Sequence, residues 1–389
     1  MVWQNGAIRV ATINDIAVEV HVTFGLVILW GGWQGWARHH SLAGMLYGIL
    51  IVLLLFACVL LHELGHAWQA KALGLVSRRV TLLPLGGLAV LETHPSHSWQ
   101  ELLIALVGPL VNLLLAAVAA LVALMVLPYS PLDWPIVLLR ALTVDPRIDS
   151  LILYLLVVNL MLFLFNMLPA FPMDGGRVLR GALGMVIDYE LATRLAAWLG
   201  RILAVLMAAL GAFGWPPANL APNPLLVVVA VVVFFGARQE EFYVRRRRAL
   251  VRYEVQDIYQ QAVDTLAPWD TLSKQLIRQL FRQQRVMPVL VDGRVVGLLT
   301  DQDVQRRLHR RPSETTVAHL MRTDFATLQL HDTLWVAVRE MSLAQLPTLP
   351  VVHNDLFHGV VHLEDIDHAW RTSRKHARSR LHPGESVYK

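Results

Sequence analysis

Residues 62–66 read His62-Glu63-Leu64-Gly65-His66, an H-E-x-x-H motif. On a helix, positions four apart share a face, so both imidazoles can reach one ion with Glu63 beside it. These residues close the run Leu42 to Leu61, which contains no charged side chain. Ionisable groups next to such a run are costly in lipid and are functional by default. Mutual hydrogen bonding inside a helix bundle is the competing use for them. A catalytic zinc takes three protein ligands and keeps a fourth position for water. The third ligand is therefore expected from another apolar segment at matching depth. Asp174 fits, because it ends the uncharged run from Leu151 and opens Met173-Asp174-Gly175-Gly176. Capping of the next helix is the alternative role for that carboxylate. His94 and His97, in a polar loop before Glu101, compete as ligands. The single cysteine, Cys58, excludes an intrachain disulfide and a thiolate cage, and its apolar surroundings predict a small buried hydrophobe.

The elements that must position these groups are apolar helices. A hydrophobic fraction of 55% and a positive mean hydropathy exclude one soluble globule, which would need charged outer helix faces. Uncharged stretches run from Val20 to Ala37, Leu42 to Leu61, Leu102 to Leu132 and Leu151 to Met173. A span needs roughly 20 apolar residues, and the first of these qualifies narrowly. A fifth covers Leu191 to Phe213 despite Arg201, and a sixth lies before Ala237, around Leu225 to Phe235. About six spans are expected. Only Arg9 is positive before the first run, so the start does not resemble a cleaved signal.

Orientation follows from loop charge. With both termini cytoplasmic, Arg9, Lys71, Arg78, Arg79, Arg177, Arg180, Arg194, Arg238 and Arg245 to Arg248 all face the cytoplasm, and only Arg38, Arg140 and Arg147 fall outside. This predicts a multi-pass protein of the inner (cell) membrane. The run Arg245 to Arg248 then reads as an anchor to anionic lipid, and no nucleic-acid partner is expected. Arg201 either pairs with a carboxylate inside the bundle or snorkels toward the cytoplasm.

In order along the chain stand Val20-His21-Val22-Thr23-Phe24, the motif at His62, Pro84-Leu85-Gly86-Gly87, Gly108-Pro109-Leu110-Val111-Asn112, and Asn166-Met167-Leu168-Pro169-Ala170-Phe171-Pro172-Met173-Asp174-Gly175. With these motifs the chain resembles the site-2 protease family of intramembrane metalloproteases, in the branch with C-terminal CBS domains. Met173 stands where that family usually has leucine, a volume-conserving change. The resemblance implies one zinc ion held by His62, His66 and Asp174, with Glu63 as general base. It implies that Asn166 positions the substrate or stabilises the intermediate, a helix–helix hydrogen bond being the alternative. Gly108, Pro109 and Asn112 are expected to be architectural, since small residues let helices approach. The implied reaction is zinc-dependent hydrolysis of a peptide bond in a single-span membrane protein whose helix first unwinds locally. Val80 to Leu91, β-branched and aliphatic around Gly86 and Gly87, is expected to form a hairpin or edge strand that pairs with the unwound substrate.

After the arginines the sequence repeats. Pro288-Val289-Leu290-Val291, Gly297-Leu298-Leu299-Thr300 and Asp303 recur 62 residues later as Pro350-Val351-Val352-His353, Gly359-Val360-Val361-His362 and Asp365. Each copy reads helix, two short strands, helix, with the first helix over Leu272 to Gln283. This resembles a tandem CBS pair (a Bateman module). The resemblance implies an adenine nucleotide, ATP or AMP, whose ribose is held by Thr300 and Asp303 and, in the second copy, by Asp365. His362 departs from the pattern at the threonine position, and helix capping by Thr300 or Asp301 is the alternative. A homodimer through these domains is also implied.

The expected architecture is thus an α-helical polytopic membrane protein with a small membrane-associated β element, followed by an α/β tandem CBS module. The expected divisions are a membrane domain over 1–240, a basic linker over 241–250, CBS copies over 251–311 and 312–371, and a disordered tail from 372 to 389. Two rival functions remain: a transporter or channel regulated by CBS domains, and a catalytically silent relative that binds membrane partners. No inverted repeat supports the transporter, which also leaves the H-E-x-x-H motif unexplained.

Overall fold

A computed structural model of the chain describes residues 6–84, 86–91, 95, 97–127, 148–214, 221–271, 285–308 and 316–381. The chain divides into two compact units, Met1–Phe242 and Tyr243–Lys389.

The first unit begins with strands β1 (Ala7–Ile13) and β2 (Ile16–His21), followed by helices α1 (Phe24–His39) and α2 (Leu42–Ala72). The apolar run from Val20 therefore starts in a strand and turns helical only at Phe24, in a helix of 16 residues that continues past the run to His39. Helix α2 runs on past Leu61 through the whole H-E-x-x-H motif, so both histidines sit on a rigid element. Ser41 caps it, its hydroxyl accepting from the Gly44 N–H at 3.1 Å. Helices α1 and α2 pack through glycines spaced four apart. A side chain at Gly48 would strike the Gly31 carbonyl, and one at Gly35 would strike the Gly44 carbonyl. Where lipid tails are as apolar as leucine, such close backbone approach drives association.

Helices α3 (Ser98–Val126), α4 (Ile148–Asn166), α5 (Asp174–Gly184), α6 (Tyr189–Phe213) and α7 (Pro224–Leu250) follow. Among the described residues, α2, α3 and α6 are long and apolar enough to cross a membrane, and α4 has a shorter apolar stretch, Ser150–Asn166. The expectation of about six spans is therefore met by length and composition for three. Two boundaries differ from expectation. Helix α4 stops at Asn166, because Pro169 and Pro172 turn the chain before Asp174. Helix α7 continues beyond Ala237 and includes the arginine run expected to be a linker.

Strands β3 (Ser77–Leu83) and β4 (Gly86–Leu91) form an antiparallel hairpin, and β3 pairs parallel with β2. The sheet order is β1-β2-β3-β4, which leaves β4 as a terminal strand. Its inner face is anchored on α2, where Ile16, Leu64, Ala67 and Val80 form a buried cluster. The contribution of the N-terminal strands was not expected from sequence.

The second unit carries the repeat in its register. In β5 (Val286–Val291) and β6 (Arg294–Thr300), Val286 faces Thr300 and Pro288 faces Leu298. In β8 (Thr348–His353) and β9 (Leu356–His362), Thr348 faces His362 and Pro350 faces Val360. A short strand β7 (Leu328–Gln329) pairs parallel with β8 through Leu328 and Val351, and Leu266 meets Val289 in the same way. Helices α8 (Asp301–Leu308), α9 (Val317–Leu320), α10 (Leu334–Ala344) and α11 (Leu363–Leu381) complete it. Val286 and Leu298 of the first copy share one core with Leu349, Val361 and Ile366 of the second. The predicted helix over Leu272 to Gln283 lies outside the described residues. Helix α11 runs to Leu381, well into the segment expected to be a disordered tail.

Candidate functional site

His62 and His66 project from one face of α2, as the four-residue spacing requires, with their rings edge to face. Asp174 is the first residue of α5, whose N-cap is Met173, so its carboxylate does not serve as the cap. Its Oδ2 lies 3.1 Å from His62 Nε2 and 3.1 Å from His66 Nε2, and the two Nε2 atoms are themselves 3.1 Å apart. All three residues are buried. Among the described residues this is the one group of three side chains able to hold a metal ion.

The protons on the two rings can be assigned from their neighbours. The Asn159 amide donates to the Leu155 carbonyl and toward Cys58 Sγ, which leaves its oxygen to accept from Asn112 Nδ2 at 2.9 Å. Asn112 Oδ1 is thereby an acceptor, and His62 Nδ1–H donates to it at 2.6 Å. His66 Nδ1–H donates to the Ile104 carbonyl at 2.7 Å. Both rings carry their proton on Nδ1, so both Nε2 lone pairs face the carboxylate. Three lone-pair atoms converge with no proton among them, which suits a cation. Tetrahedral zinc ligands at 2.0–2.1 Å lie about 3.3 Å from one another, close to the separations here. The donor set fits zinc.

Gly108 of α3 closes one side of this cluster. A Cβ there would collide with His66 Nε2 and approach His62 Nε2 at 2.9 Å. Gly108 and Asn112, expected to be architectural, thus lie directly against the candidate ligands His62 and His66. Asn112 and Asn159 did carry a sequence signal, being polar residues within apolar runs. The Ile104 carbonyl carried none.

Glu63 is half-buried beside the cluster and faces strand β4. A Cβ on Gly87 would come 2.9 Å from Glu63 Cδ and 3.0 Å from its Oε1. The absence of a side chain at Gly87 is what lets the carboxylate lie against this strand. Gly86 (φ 141°) begins β4. Asn166 is not brought into the cluster: its amide donates to the Leu162 carbonyl at 2.9 Å within its own helix. His97 caps α3 with Gln100, and His94 lies outside the described residues. Arg201 pairs with Glu241 at 2.9 Å, which decides between the two roles open for it.

A second constellation surrounds Arg180 of α5. Its Nε and Nη2 donate to Glu101 Oε1 and its Nη1 donates to Glu240 Oε1 at 2.7 Å, while the Tyr189 hydroxyl donates to Glu101 Oε2 at 2.9 Å. Burial alone would weaken the guanidinium's hold on its proton, but Glu101 and Glu240 raise its pKa above the ordinary arginine value.

In the second unit Thr300 and Asp303 are buried at the start of α8. The Thr300 hydroxyl accepts from the Asp303 N–H at 3.1 Å, which is helix capping, and donates to Asp303 Oδ2 at 2.5 Å. That same oxygen takes Arg322 Nε at 2.6 Å. In the second copy Gln260 Nε2 donates to Asp365 Oδ2 at 2.9 Å, a neutral counterpart of the Arg322 contact, and His362 bonds to Thr348.

A unit of apolar helices with a His–His–Asp cluster, followed along the sequence by an α/β repeat, defines the class. Residues 50–210 match peptidase family M50 and residues 317–371 match the CBS domain. The chain carries a peptidase family M50 domain, that of the site-2 proteases, joined to a CBS domain. It is similar to the zinc metalloprotease MJ0392 of Methanocaldococcus jannaschii, 34% identical over 53% of this chain and 54% of the relative. It is also similar to the putative zinc metalloprotease sll0528 of Synechocystis sp., 33% identical over 54% of each. The chain spans about half the length of these curated relatives. Among solved structures, the site-2 protease from Methanocaldococcus jannaschii is 34% identical with a TM-score of 0.42, covering 60% of this chain and 95% of that one.

Proposed function

We propose that the chain is a zinc endopeptidase that hydrolyses a peptide bond of a single-span membrane protein within the membrane. The convergence of two deprotonated Nε2 atoms and one carboxylate oxygen, at the end of an apolar helix, carries this proposal. His62, His66 and Asp174 hold the ion. Zinc bound there would polarise a carbonyl and lower the pKa of water to about 7. Glu63 takes the proton from the attacking water and returns it to the leaving amine.

A substrate helix must first expose its amides. Among the described residues β4 pairs only with β3, so its other side would offer a row of backbone donors and acceptors to an unwound segment, and Gly87 lies against Glu63. Pairing along this edge, past Gly86 and Gly87, would deliver the scissile bond beside the general base. For Asn166 to hold the substrate, its amide must exchange the Leu162 carbonyl for one from the substrate. The loop charges support cytoplasmic termini and contact between anionic lipid and Arg245 to Arg248. Adenine nucleotide at the repeat would modulate cleavage, with Thr300, Asp303 and Asp365 as its ribose contacts; at Asp303 it must displace Arg322.

The test is cleavage of a tagged single-span substrate by purified protein in detergent. Wild type should cut; Glu63→Ala and chelator-treated protein should not, and zinc should restore the latter. Cleavage that survives both treatments would refute the proposal.

A further inference from the structure

We propose that Arg180 is a positioning residue that sets Asp174, through Glu101, on the same surface of α3 that orients the two histidines. The inference rests on the metal-site assignment above. The residues of α3 that touch the site or its supports are Glu101, Ile104, Gly108 and Asn112. At 3.6 residues per turn these lie within roughly 80° of the helix circumference. The stripe contacts both histidines directly and reaches Asp174 only through Arg180. Asn112 takes the Nδ1 proton of His62, the Ile104 carbonyl takes that of His66, and Gly108 leaves room for both rings. Asp174 receives no such direct bond from α3. Its helix is fixed instead by Arg180, which grips Glu101 with two nitrogens.

The neighbouring contacts point the same way. Gly181 lies against the first turn of α3, where a Cβ would come 2.9 Å from the Leu102 nitrogen. The Arg180 guanidinium also sits 4.8 Å from the centre of the Phe171 ring, in the turn three residues before Asp174. Arg180 thus holds both the helix that begins with Asp174 and the turn that delivers it. The guanidinium is a planar fork, so its bonds to Glu101 and Glu240 fix direction as well as distance. Buried ion pairs are seldom retained for net stability, and apolar replacements of similar volume are often neutral. Orientation is the property that an apolar replacement loses.

The experiment measures zinc affinity of the full chain in detergent by competition with a chromophoric chelator, alongside thermal unfolding of the zinc-free protein. The variants are Arg180→Met, Arg180→Lys and Glu101→Gln, with Arg201→Met as a control. Arg201→Met breaks a second, half-buried pair, between α6 and α7, that lies outside the Arg180–Glu101 contacts. Loss of an outer contact to a ligand costs roughly 10–100-fold in metal affinity. Arg180 and Glu101 stand one contact further from the ion than such partners, so a loss of about 10-fold or less is expected for Arg180→Met and Glu101→Gln, with Arg180→Lys recovering part of it. Arg201→Met should lower the unfolding temperature and leave zinc affinity unchanged. If Arg180→Met fails to fold, Glu101→Gln and Arg180→Lys carry the test. Wild-type affinity in these variants, or an equal loss in Arg201→Met, would overturn the inference. Absence of zinc binding in the wild type, or binding indifferent to Asp174→Ala, would instead overturn the metal site itself and this inference with it.

Discussion

Replacing Asn112 by leucine tests the proton assignment on which the metal site depends. Asn112 is fully buried, and its oxygen accepts from His62 Nδ1–H at 2.6 Å. Leucine keeps the same branched skeleton, with bulkier methyl ends, but accepts nothing. The ring then either keeps an unpaired buried N–H, at a cost of about 1–3 kcal/mol, or moves its proton to Nε2 and gives up the lone pair offered to zinc. Zinc affinity should fall by roughly 10–100-fold, equivalent to about 1.4–2.8 kcal/mol. Asn112→Asp separates this effect from packing. The carboxylate still accepts from His62 but can no longer donate to Asn159 Oδ1, so the contact with α4 is lost in both variants. Chelator competition should find Asn112→Asp close to wild type and Asn112→Leu much weaker, while thermal unfolding of the zinc-free forms falls in both. Wild-type zinc affinity in Asn112→Leu, or equal weakening in Asn112→Asp, would refute the assignment.

Gly108→Ala places a methyl group on the metal-facing nitrogens of His66 and His62, so bound zinc, measured by elemental analysis, should drop sharply although alanine favours the helix by about 1 kcal/mol; full zinc occupancy would count against this geometry. Gly87→Val should displace the Glu63 carboxylate and abolish cleavage of a single-span substrate while zinc content stays at the wild-type level, and undiminished turnover would show that β4 does not crowd the base. Gly48→Leu wedges α1 from α2 and should destabilise the protein by about 1–3 kcal/mol in thermal unfolding, with no shift expected only if the helices do not meet at these glycines. Arg322→Met frees the Asp303 carboxylate, so calorimetric titration with AMP should detect tighter binding than in wild type, and unchanged or weaker binding would remove Arg322 as a competitor for that site.

Much of the site was legible because its elements are local. Two histidines four apart on an uninterrupted helix share a face whatever surrounds them, and an uncharged run ending in a carboxylate marks that group as expensive and therefore used. The 62-residue repeat was equally plain, since strand pairing preserves register: every pair in β5–β6 recurs in β8–β9. Contacts between distant segments were not legible in this way. Sequence offered Asp174 as either ligand or cap, and Arg201 as either paired or snorkelling, because each choice depends on what another helix brings near. The fold placed the Asp174 carboxylate against both imidazoles and Glu241 against Arg201. It also turned Asn112 and Gly108 from helix-packing residues into neighbours of the ligands, and assigned the arginine run and the segment beyond Arg371 to helices. The physical reason is range. Helix periodicity and the cost of burying charge act within one segment and are written in its own residues, whereas a ring's tautomer or a guanidinium's partner is fixed by groups tens to a hundred positions away that only packing brings within 3 Å.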